Sequence, residues 1–102
     1  MRISTQENAD QVTFKVEGKI VGDWSAEMER FWKLLEPSLQ TKKLCLDICG
    51  VAYVDGRGKK ILQEIFTSTD AEILADSPLT QQVANEVRRK AHGAGRGGNG
   101  HA

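Results

Sequence analysis

The stretch Leu44-Cys45-Leu46-Asp47-Ile48 is apolar almost without interruption. That is the pattern of a strand lying centrally in a sheet or covered on both faces. Val51 and Val54 continue the burial toward Asp55. A chain of 102 residues has room for one core and one domain, so the remaining segments must pack around this strand.

Val12, Phe14 and Val16 alternate with Thr13, Lys15 and Glu17, which is the period of a half-buried strand. Arg2 to Thr5 reads as a preceding edge strand, joined to it by a turn around Asn8-Ala9-Asp10. Trp24, Met28, Phe31, Trp32 and Leu35 recur at the spacing of one helix face, which predicts both tryptophans in the core. Asp23 suits the start of that helix, and Pro37 stops it. Ile61, Leu62, Ile65 and Phe66 mark the inner face of a second helix, and Ile73-Leu74-Ala75 a short strand. Ser77 caps a third helix with Pro78 at its first position and Leu79, Val83 and Val87 as its stripe. The order β-β-α-β-α-β-α predicts an α/β domain with a mixed sheet of four to five strands and three to four helices.

Lys plus Arg (14) equals Asp plus Glu (14). Zero net charge removes the broad positive field that draws a domain onto nucleic acid or an anionic membrane. No apolar run approaches the ~18 residues that span a bilayer, and the N-terminus has no apolar segment of signal-peptide type. The expectation is therefore a cytoplasmic protein without membrane insertion. Cys45 and Cys49 are separated by roughly 13 Å on an extended strand, beyond disulfide reach, and read as small buried hydrophobes. Residues 91–102 hold five of the ten glycines, both histidines and no Val, Ile, Leu or aromatic residue, which predicts a disordered tail after a domain spanning 1–90. Residues 1–90 contain no histidine, so Ser-His, Cys-His and His-metal chemistry lack an imidazole there. No enzyme, metal or cofactor is expected.

The segment Asp55-Gly56-Arg57-Gly58-Lys59-Lys60 departs from helix-start rules. Cations in a first turn oppose the positive end of the helix dipole at about 0.3–1 kcal/mol each, and each interior Gly costs about 1 kcal/mol. Arg88, Arg89 and Lys90, by contrast, read as cations at a favourable helix C-terminus. Two readings of the loop stand side by side. Either Gly58 permits close helix–strand packing while Arg57, Lys59 and Lys60 are solvated, or the loop receives an anionic group. The P-loop pattern is absent.

Residues 44–58 resemble the signature of the STAS family, named for sulfate transporters and anti-sigma factor antagonists. Asp47, Gly50, Val51, Val54, Asp55 and Gly58 fall on its positions, and Phe14 to Ile20 and Ile73 to Leu79 are similar to its second strand and its late strand-to-helix turn. The resemblance implies a STAS-like domain over roughly residues 2–90, with its final strand and helix abbreviated. It also implies a non-catalytic, anti-sigma factor antagonist-like module that binds a protein partner through Asp55, Gly56, Arg57, Gly58, Lys59 and Lys60. Asp55 would cap the second helix and fix the loop, and Tyr53 would line the same surface. Where the family carries a phosphorylated Ser or Thr, this chain has Gly56 followed by Arg57, so no switch by phosphorylation is expected there. Expected partners are an anti-sigma kinase-like factor or phosphatase. The alternatives are an accessory subunit bound to the ATPase of an ABC-type lipid transporter, and a binder of a small anion or nucleotide. The Arg2–Thr5 edge also allows a homodimer.

Overall fold

The computed structural model describes the backbone of residues 1–97. Its elements are β1 (Arg2–Glu7), β2 (Gln11–Ile20), α1 (Asp23–Leu35), β3 (Lys43–Val54), α2 (Gly56–Thr69), β4 (Glu72–Leu74) and α3 (Pro78–Gly97), with a 3₁₀ turn at Ser38–Gln40. The expected element order is the observed one.

The first hairpin closes because Asn8 acts as a local acceptor. Its Oδ1 takes the Asp10 and Gln11 amides at 2.9 and 2.8 Å, an Asx turn that reverses the chain. β1 then pairs antiparallel with β2, and β2–β3 and β3–β4 pair in parallel, giving the mixed sheet order β1-β2-β3-β4. Val12, Phe14 and Val16 share a face with Leu44, Leu46 and Ile48, and all six are buried. The helices pack on this face, their buried Met28, Trp32, Ile61, Leu62, Ile65, Val83 and Val87 joining one core cluster with the strand residues.

Strict alternation on β3 ends at residue 48. The register with β2 shifts between Lys15 and Glu17 and again between Gly18 and Lys19, so β3 carries extra residues at two places. The amide of Cys49 at the first irregularity donates to Asp47 Oδ1 at 3.0 Å. Across the second, Val51 and Val54 both reach the core although they are three apart, and Tyr53 turns outward.

Five sequence expectations change. Trp24 is 48% exposed and Phe31 is also exposed, whereas Trp32 is buried at 2%. The buried stripe of α1 is Ser25, Met28 and Trp32, rotated away from the Trp24–Phe31 face, and it brings Ser25 Oγ within 3.4 Å of the Asp55 carboxylate. Asp23 does not cap α1, which begins after Gly22 with no side-chain cap. On α3 the buried position is Thr80 rather than the exposed Leu79, since Thr80 closes the helix start: its amide donates to Ser77 Oγ, and its Oγ1 accepts the Ser77 amide. α3 also continues to Gly97, so residues 91–97 are helical backbone within the segment expected as tail, and 98–102 lie outside the described residues. Arg88, Arg89 and Lys90 thus sit mid-helix, where the C-terminal dipole gives them no support.

The second face of the sheet carries Lys15, Asp47, Cys45, Cys49 and Glu72. Both cysteines are free, Cys45 buried and Cys49 half-buried. Burial pushes the Cys45 thiol up, aided by the Glu72 and Asp47 carboxylates. Cys49 is pushed up to about 11, by burial first and then by its hydrogen bond to Asp47. Since the thiolate is the nucleophile, both should resist iodoacetamide at mildly alkaline pH in the native protein and react promptly once unfolded. Native labelling of Cys49 at the rate of a free thiol would contradict this account.

Candidate functional site

Asp55 follows the last residue of β3 and precedes the first of α2. Its backbone is extended (φ −81°, ψ 176°), and its amide donates to Ile20 O at 3.0 Å, tying it to the end of β2. Carboxylate Oδ1 accepts the Gly58 amide at 2.8 Å, which caps α2 as the sequence predicts. Oδ2 accepts the Gly22 amide at 2.9 Å, at the start of α1, and the buried Ser25 Oγ lies 3.4 Å from Oδ1. One carboxylate therefore serves two helix N-termini. The Gly58 amide, then the Gly22 amide, hold its carboxyl below the usual carboxylate range; burial opposes them, and Ser25 and the Arg57 charge assist.

Gly22 and Ser25 escaped the sequence reading, although Gly22 carried a signal. It adopts φ 55° and ψ −128° as the first central residue of a turn closed by the Trp24 amide on Val21 O at 3.1 Å, a conformation that needs glycine. Trp24 was expected in the core. It is instead exposed, one residue before Ser25 in the first turn of α1.

The structure separates the roles of the expected site residues. Gly58 is buried, and a Cβ there would stand 2.8 Å from Val54 Cγ1 and 2.9 Å from Ile20 Cγ2, so close packing accounts for it. Gly56 faces open space. Arg57 and Lys60 are exposed and form no ion pair among the described residues, while Lys59 pairs with Glu86 of α3 at 2.7 Å. Tyr53 is 51% exposed beside the loop. Asp55 thus holds the first turn of α2, whose outer surface is Gly56, Arg57 and Lys60, with exposed Tyr53 two residues before the cap.

No family model matches the sequence, and no curated protein matches it either. Among solved structures, the chain is similar to the anti-sigma factor antagonist SpoIIAA in its unphosphorylated form. The TM-score is 0.57 at 8% identity, over 90% of this chain and 99% of that one. The fold is STAS-like. A second similar structure is described as "Crystal Structure Analysis of Mglu", with a TM-score of 0.58 at 14% identity. That match covers 74% of this chain but 19% of the other, so the present chain spans only a small part of that protein's length. No helix among the described residues is long and apolar enough to cross a membrane.

Replacing Asp55 with Ala should cost about 2–4 kcal/mol, since a cap and a second charge-assisted bond are lost together. A carboxyl whose folded pKa is depressed contributes stability that is complete above its unfolded value, near pH 4 or about there, and lost as pH falls through the lower folded value. Denaturant titrations across that acid window should show a shallower pH dependence for Asp55→Asn than for wild type; equal slopes would remove Asp55 from the acid response. Gly58→Ala should cost about 1–3 kcal/mol in the same titrations, because the new methyl has no room between Val54 and Ile20. A neutral result there would show that the helix can back away from the sheet.

Proposed function

We propose that this chain is a non-catalytic regulatory module of the anti-sigma factor antagonist kind, binding a protein partner in a signalling or partner-switching assembly. The observation that carries the reading is the Asp55 carboxylate, which ties the first turn of α2, Gly56–Lys60, to the start of α1 and so presents its backbone already ordered for binding. Exposed Trp24, Tyr53 and Arg57 are of the residue types that interface centres favour. Gly56 and Arg57 offer no hydroxyl at the place where the resemblance puts a phosphorylated residue. Arg57 keeps a constant positive charge there, so partner release must be governed elsewhere, through the partner or through abundance. The module works in the cytoplasm in this reading.

The experiment is a comparative capture from cytoplasmic and membrane fractions, read by mass spectrometry, with wild type, Arg57→Asp and Trp24→Ala. Recovery of an anti-sigma kinase-like factor or phosphatase by wild type, reduced at least tenfold with either variant, is the expected result. Recovery of a transporter ATPase would move the chain to the accessory-subunit role, and recovery indifferent to both substitutions would sink the loop as the interface.

A further inference from the structure

A groove of about 370 Å³ runs between α2 and α3, lined by Gly56, Lys59, Lys60, Gln63, Glu86 and Arg89. Its middle is neutral, because Lys59 and Glu86 satisfy one another at 2.7 Å. Its rim is positive, with Lys60 on one wall and Arg89 on the other, both exposed, and Arg57 beside its mouth. Among the described residues none of these three cations forms a salt bridge, and the charge of Arg57 is felt by the Asp55 carboxylate without direct contact. The helix dipole supports neither arginine: Arg57 lies in the first turn of α2, where only the nearby Asp55 carboxylate favours its charge, and Arg89 lies mid-helix.

We propose that this groove is the seat of an acidic, carboxylate-rich segment of the protein partner. The proposal rests on the reading of the Asp55–Lys60 loop as a docking surface and names the chemistry of what docks. Charge complementarity points to it: an extended chain crossing the groove places its carboxylates against Lys60 and Arg89, and its remaining charge near the α2 N-terminus. A nucleic acid needs a broad positive field, which a chain of zero net charge lacks. A free phosphate needs convergent donors in a closed cradle, whereas here the central lysine is already taken by Glu86.

The test is an NMR titration of the ¹⁵N-labelled full chain with a short oligoglutamate peptide, run beside inorganic phosphate and an oligothymidylate. The amides of Gly56, Arg57, Lys60, Gln63 and Arg89 should shift, while those of Lys42 and Lys43, a cationic site elsewhere, stay still. Affinity should fall with added salt and drop about tenfold or more in a Lys60→Glu, Arg89→Gln double variant with an unchanged thermal midpoint. Shifts spread equally over Lys42 and Lys43, binding that survives in the variant, or equal responses to phosphate or oligothymidylate would overturn it. Self-association of the chain alone through the groove amides would assign the groove to a second copy and overturn it too. A native partner lost on Arg57→Asp but no oligoglutamate binding would dismiss the acidic segment and leave the docking loop standing. Oligoglutamate binding with partner capture indifferent to Arg57 would do the reverse.

Discussion

The hydrogen bonds of the Asp55 carboxylate join three elements that the sheet alone would leave independent. The end of β3, the start of α1 and the start of α2 meet at two oxygen atoms, with Ile20 O receiving the backbone amide of the same residue. A cap is worth about 0.5–2 kcal/mol and a hydrogen bond to a charged group about 1.5–3. Three cations at the start of α2 oppose the dipole by about 1–3 kcal/mol together. The carboxylate offsets that repulsion with its own negative charge. Without it, the cationic loop would have neither its shape nor its tolerance of like charge.

The sheet sets what the loop can present. Two irregularities in β3 change which side chains face outward between Cys49 and Val54, and the second of them turns Tyr53 to solvent just ahead of Asp55. Gly58 then lets α2 lie against Val54 and Ile20. The outcome is a surface at one end of the sheet where Tyr53 and cations stand on backbone fixed by the core beneath. The architecture by itself hosts many roles and assigns none of them.

Much of the fold was legible because periodicity reports burial. The alternation of Val12, Phe14 and Val16, the apolar run of β3 and the Ser77-Pro78 helix start each had one structural solution. The misses share a physical cause. Trp24 and Phe31 match the helical period as well as Trp32 does, and which way α1 is rolled depends on tertiary contacts, the burial of Met28 and Trp32 and the approach of Ser25 to Asp55, that the period does not carry. Leu79 lost its place to Thr80 because a polar side chain that completes a helix start can be buried at little cost. At the site, Asp55 and Gly58 announced themselves through the motif. Gly22 and Ser25 lie some thirty residues away in sequence, and no local pattern ties them to Asp55.

Both ends of α2 work against it. Its first turn holds Arg57 and Lys59, with Lys60 close behind, and its end is closed by Asp70, a carboxylate in the left-handed region (φ 54°) facing the negative end of the dipole. Its interior begins with two glycines. A segment of fourteen residues with these features is far from helical by itself in water. α2 is a helix because Ile61, Leu62 and Ile65 are buried against the sheet and because Asp55 is already in place. The cationic surface is therefore a property of the assembled domain: a partner that reads it reads, in the same act, whether the rest of the chain has folded.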